Sequence, residues 1–291
     1  MNNGFSRVRD KTMRRILFAI AAIASSSSLA HAADVPVPVY KAPIVAPVMS
    51  WTGFYAGLNG GYTWGHQSVD PTVLSELCDN PLGCPQILAL LSAGRKISPS
   101  SFTGGLQFGY NQQYGNVLFG LESDIDYLRL NGSFAYGPTR PSPQPITGAG
   151  AGSLTTSWVA TIRPRFGWVS DRLLLYVTGG LAFTDQHNRE TSVVVVNGQF
   201  AGPIGSFDLS SSSNIGAVVG AGLEYVWTNQ WSVKAEYLHF DFATVRAATG
   251  VIGGIGAFDG AVMSSNWHLT ADTVRVGINY HFSGPVVVAR Y

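Results

Sequence analysis

Three carboxylates at alternate positions, Glu122, Asp124 and Asp126, are the first residues of this chain whose spacing suggests chemistry. On an extended backbone they project from one face about 6.8 Å apart. Such a cluster suits general acid–base work or a divalent cation. Arg163 and Arg165 repeat the two-residue interval, and Glu224, Lys234, Glu236 and Arg275 follow further along. Acids and bases spaced this way have another use, which is to pair across neighbouring strands. Arginines on the adjacent strand are reason enough for the acids, and no nucleophile–base pair falls at the same level. The favoured reading is a structural charge network, with a catalytic or cation-binding cluster as the lesser alternative. No catalytic residue, cofactor or metal is assigned, and the chain is not read as an enzyme.

Those side chains need long strands to position them, and the chain supplies the pattern. From Trp51 to Trp64, Thr52, Phe54, Ala56, Leu58, Tyr62 and Trp64 share one face, while Gly53, Tyr55, Gly57, Asn59, Gly61 and Thr63 share the other. Residues 101–113 repeat this, and six more alternating segments follow at about 116–129, 157–169, 172–186, 213–227, 230–242 and 272–282. Tight connections at Gly115, Ser170-Asp171 and Thr228-Asn229 alternate with long Gly-, Ser- and Pro-rich ones around 65–100, 130–156, 187–212 and 243–271. That layout predicts an all-β fold, an eight-stranded antiparallel transmembrane β-barrel with short periplasmic turns and long external loops.

Strands near the ~9–11 residues of a tilted membrane span agree. Aromatics also gather near segment ends (Trp51, Trp64, Tyr114, Trp158, Trp168, Trp227, Trp231 and Phe282), as in the girdles at lipid–water boundaries. An outward charge would cost about 2–4 kcal/mol at mid-bilayer, so the charged residues are placed inside. Inward glycines (Gly57, Gly61, Gly105, Gly109, Gly120, Gly220, Gly222, Gly277) are expected to leave small water-filled spaces, and any conduction is expected to be narrow.

Composition fits this class. Charged residues are 12% of the 291, where about a quarter is usual for a soluble domain. A net charge of +1 with no basic cluster after residue 15 argues against nucleic acid as partner. Arg7, Arg9, Lys11, Arg14 and Arg15 precede the short apolar stretch Ile16 to Ala24 and the cleavage pattern Ala30-His31-Ala32. This predicts a cleaved signal peptide over 1–32, with Met13 as an alternative start. A Pro-rich periplasmic linker over 33–50, the barrel over 51–282 and a tail over 283–291 complete the expected organisation. In an exported chain, Cys78 and Cys84 read as a disulfide closing a small loop. Gly220-Ala221-Gly222 lies inside a strand pattern, which excludes a dinucleotide-binding turn. His66, His187 and His268 fall in or near the predicted loops and His239 at a strand's upper end. External histidines are able to ligate haem or a metal, but scattered ones read as plain polar residues.

The Ala33-Asp34 start, the Pro-rich stretch to Val48, the run Trp51-Thr52-Gly53-Phe54-Tyr55-Ala56-Gly57-Leu58-Asn59-Gly60-Gly61-Tyr62 and the strand Val274 to Phe282 carry a family resemblance. The chain resembles the outer-membrane immunogenic-protein, or porin-family, barrels of alphaproteobacteria, which include haemin-binding relatives. The resemblance implies an OmpA-like barrel in the outer membrane, surface-exposed loops and insertion by the barrel-assembly machinery. That machinery reads a terminal aromatic, here Phe282 or Tyr291. The expected role is structural and surface-interacting in the cell envelope, among outer-membrane lipid and lipopolysaccharide. A narrow porin-like channel or a haemin- or small-ligand-binding barrel is the alternative. A lipid-modifying enzyme is a third reading, in which His66 or His239 lacks a recognisable partner.

Overall fold

The computed structural model describes residues 50–74, 93–137, 146–196, 199–228, 230–252 and 261–282. The proposed signal peptide, the linker before Ser50, Cys78, Cys84 and Tyr291 lie outside these residues. Twelve strands form: β1 (Gly53–Leu74), β2 (Arg95–Ile97), β3 (Ser100–Tyr114), β4 (Val117–Leu128), β5 (Asn131–Tyr136), β6 (Ile146–Thr155), β7 (Trp158–Ser170), β8 (Leu173–Val196), β9 (Gln199–Val226), β10 (Trp231–Phe242), β11 (Val245–Ile252) and β12 (Ala261–His281). Eight of them, in the order β1-β3-β4-β7-β8-β9-β10-β12, make an antiparallel sheet. β12 pairs back onto β1 from Tyr55 opposite His281 to Leu74 opposite Val262, which closes the barrel so that each of its eight strands has a neighbour on both sides.

The turns at one end are short for a backbone reason. Gly115-Asn116 and Asp171-Arg172 are two-residue links, and Gly115 (φ 59°) and Asp171 (φ 54°) adopt the left-handed conformation that tight hairpins need. The third link, 227–230, is closed by Trp227 N donating to Trp231 O at 2.9 Å.

At the other end the structure departs from expectation. The connections expected as irregular loops are largely strand. β1, β8, β9 and β12 run well past the membrane pattern, and the sheet continues with β6 along β8, β2 along β1 and β11 along β12. The sequence hid this because the apolar–polar contrast fades while the alternation persists. Gln186, Asn188 and Glu190 are buried while His187 and Arg189 between them are exposed. In β6 the glycines are not loop residues: a Cβ at Gly152 would meet the Phe134 ring at 2.5 Å, so the strand is built around its neighbour's aromatics.

The two faces are inverted relative to a soluble protein. Leu58, Phe102, Ile125, Val177 and Val276 are each more than half exposed, whereas the inward arginines and carboxylates are almost completely buried. Of the expected girdle, Trp64, Tyr114, Trp168, Trp227, Trp231 and Phe282 face outward. Trp51 does not. It is fully buried at the turn end of the barrel, edge-on to His281 with ring centroids 5.6 Å apart.

Candidate functional site

All nine charged residues singled out from the sequence meet inside the barrel, none more than 4% exposed. β4 supplies Glu122, Asp124 and Asp126; β7 supplies Arg163 and Arg165; β9, β10 and β12 supply Glu224, Lys234, Glu236 and Arg275. Arg163 bridges Glu122 (2.8 Å), Asp124 (2.6 Å) and Glu236 (3.2 Å). Across the lumen, Arg275 reaches Asp126 (2.6 Å), Asp124 (2.9 Å) and Glu236 (2.7 Å). Arg165 lies 3.2 Å from Glu224 and 3.4 Å from Glu122, and Lys234 lies 2.9 Å from Glu122. Five carboxylates thus face three guanidinium groups and the Lys234 amine, with His281 Nε2 3.5 Å from Glu224 as a further partner.

Every carboxylate of the β4 cluster is already held by at least one guanidinium. A general base needs a free lone pair directed at a substrate proton, and a cation site needs several carboxylates free to ligate. The geometry therefore pairs charge rather than offering it, although Asp124 Oδ1 is buried without a hydrogen-bond partner. In a medium where unpaired ions are expensive, this is the arrangement that makes burial tolerable.

Sequence reasoning missed the neutral half of the network. Tyr55 Oη donates to Glu122 at 2.7 Å and Tyr176 Oη to Glu236 at 3.0 Å, while Arg165 stacks 4.5 Å above the Tyr55 ring. Asn59 donates to Asp126 at 2.9 Å and Asn279 to Glu224 at 2.7 Å. Their inward parity was the available signal. The inward glycines also take a different role from the one expected. They are not water-filled gaps but seats for bulky neighbours. The Tyr55 ring occupies the space a Gly109 side chain would need, the Tyr176 hydroxyl lies 2.6 Å from a Gly222 Cβ, and Arg275 lies 2.6 Å from a Gly61 Cβ.

Apolar layers cover the network at both ends. Below it Trp51, Leu118, Val169, Leu174 and Val226 cluster at the turn end. Above it Leu128, Val159, Leu238, Phe240 and Trp267 belong to a larger cluster, an inward apolar layer that the sequence pattern did not announce. Higher still is an amide layer. Asn214 donates to Gln186 at 2.7 Å, Gln186 to Asn188 at 3.2 Å, and Ser265 donates to Glu190 at 3.0 Å. Burial pushes the Glu190 carboxyl above its ordinary range, with the Ser265 hydroxyl opposing.

The histidines stand elsewhere. His66, His187, His239 and His268 belong to strands and face outward. His239, expected to lack a partner, has one: Nδ1 lies 2.7 Å from Asp272, which also accepts from Tyr237 Oη at 2.6 Å. His268 Nε2 lies 2.8 Å from Asp241. Among the described residues no group of three or more such side chains is arranged to hold a metal ion.

The family comparison agrees with this architecture. The family model described as outer membrane protein beta-barrel domain matches residues 18–282. A 31 kDa outer-membrane immunogenic protein of Brucella melitensis is 33% identical over 273 residues, covering 92% of this chain and 98% of that protein. A 22 kDa outer membrane protein of Rhizobium leguminosarum is 27% identical, covering 68% of this chain and 67% of that one. Among solved structures, the outer membrane protein OprG of Pseudomonas aeruginosa aligns with a TM-score of 0.41 and 10% identity, over 80% of this chain and 99% of that one.

Proposed function

The chain belongs to the outer membrane protein beta-barrel family and is an integral protein of the outer membrane; from that premise we propose that it is a sealed envelope barrel, whose role is to anchor and present its external strands and loops. One observation carries this reading: the ionic centre of the lumen is at most 4% exposed and is capped by apolar layers on both sides. The charges that would line a conducting path are almost entirely covered by protein and by one another. The same ion pairing of every lumen carboxylate supports a non-enzymatic role.

The reading assigns further parts. Residues 1–32 serve as the cleaved export signal and the Cys78–Cys84 pair as a loop disulfide. Phe282, whose N–H donates to Phe54 O at 2.9 Å beside the barrel seam, serves as the aromatic recognised by the assembly machinery, with Tyr291 as the other candidate. Outer-membrane lipid and lipopolysaccharide surround the wall.

Planar-bilayer recording on the refolded, signal-free protein tests the proposal. The sealed barrel gives no stepwise conductance, while its migration on gels changes on heating. Reproducible unitary steps from heat-modifiable protein would replace this reading with the narrow channel.

A further inference from the structure

At the rim away from the tight turns, β2, β1 and β12 run side by side on the outside of the barrel. Their register sets Lys96, Ser68 and His268 in one row, each on a different strand. One row nearer the membrane, His66 stands opposite Thr270, with Ser98 beside them. These side chains point outward, because their neighbours Gln67, Val69, Ile97, Trp267 and Leu269 are buried inside. Together they line a cleft of about 200 Å³ with no carboxylate among its lining residues. The acids around it are Asp70 on the outer side, Asp241, held by His268, and Asp272, held by Tyr237 and His239.

The level of the cleft identifies its ligand. Directly beneath it, Trp64 packs on Tyr62 and Tyr62 on Phe102, each with ring centroids 5.1 Å apart, and Tyr62 Oη donates to Ser100 at 2.8 Å. Such aromatics lie at headgroup depth. The His66 row stands one strand repeat, about 7 Å along the chain, above Trp64. An ammonium, three hydroxyls and two imidazoles therefore open onto the plane where the charged heads of outer-leaflet lipids lie. Lys96, Ser68, Ser98 and His66 carry donors suited to an oxyanion, while Thr270 Oγ1 donates to His66 O at 3.4 Å and His268 Nε2 is held by Asp241 at 2.8 Å. We propose that this cleft binds the anionic headgroup, phosphate or carboxylate, of an outer-leaflet glycolipid. A lipid rather than a free anion is the occupant because Trp64, the next outward residue below His66 on β1, and Phe102 beyond it face lipid.

Native mass spectrometry on the mature chain refolded in detergent tests this, using bisphosphorylated lipid A, dephosphorylated lipid A and inorganic phosphate as separate probes. The protein retains the phosphorylated lipid about tenfold more tightly than the dephosphorylated one, the size expected for one charge-assisted hydrogen bond. The double variant Lys96→Gln, Ser68→Ala removes that preference while keeping heat-modifiable migration, both positions being outside the ionic lumen. Equal retention of the two lipids overturns the proposal, as does an unchanged preference in the double variant. Inorganic phosphate held as tightly as the lipid overturns the assignment to a lipid. Should the variant fail to fold, the comparison of the two lipids on the unsubstituted protein decides alone. None of these outcomes bears on whether the lumen conducts.

Discussion

Arg163 and Arg275 between them tie Glu122, Asp124, Asp126 and Glu236 into one cluster, so each guanidinium answers several carboxylates at once. Removing one leaves buried negative charge without its counterion. Arg163→Ala is expected to lower stability by about 3–5 kcal/mol, read as a reduced urea midpoint for the protein in lipid vesicles. A reciprocal pair tests the glycine seats. Gly109→Val is expected to abolish heat-modifiable folding by meeting the Tyr55 ring, and Tyr55→Ala in the same chain to restore it. The charged members of the network were legible in the sequence, because a charge at an alternating position has only the lumen as a tolerable side. Tyr55, though its parity set it on the polar face, and Tyr176 were not legible as network members, since a tyrosine is equally at home at the lipid boundary and in a hydrogen-bonded interior. Asn59 and Asn279 had the right parity but carry no charge to compel it.

Strands express the same rule as a pattern. Val276 lies midway along the membrane part of β12 and faces lipid, opposite Ala235 and Gly60 on its neighbours. Val276→Arg is expected to cost about 2–4 kcal/mol, measured by the same unfolding assay. Above the membrane the pattern changes, and β8 illustrates the consequence. The Glu190 carboxyl is raised by burial, so the folded chain binds its proton more tightly than the unfolded chain does. Glu190 therefore contributes most favourably below the ordinary carboxylate range, and that contribution is lost as pH rises through its raised value. Glu190→Gln is expected to flatten this part of the stability–pH profile and to stabilise the protein at neutral pH. An unchanged profile would show that the residue is not buried as described. The upper strand extensions escaped sequence reading for a physical reason: outside the bilayer nothing requires one face to be apolar, so polar residues occupy both sides of a still-paired ladder. Trp51 was misplaced for a related reason, since end position alone does not distinguish a girdle residue from a plug.

For the whole molecule, the eight strands of the barrel, their order and the tight turns at one end were readable because the membrane imposes them together. An edge strand in lipid would leave backbone groups unpaired, so the sheet must close; the outward face must be apolar, so charges collect inside. What the sequence did not disclose was how the lumen is stacked. The apolar layer of Leu238, Phe240 and Trp267 sits above the ions, where the inward face stops being polar. That stacking converts a charged cylinder into a closed one. The most direct measurement is thiol accessibility along β12 in proteoliposomes, with Cys78 and Cys84 replaced by serine. Single cysteines at Val274, Val276 and Ile278 are expected to react with a lipid-soluble reagent, while those at Thr273 and Asn279 resist both it and a small water-soluble one. Rapid labelling of Thr273 and Asn279 from water, or reactivity without the two-residue rhythm, would contradict the account.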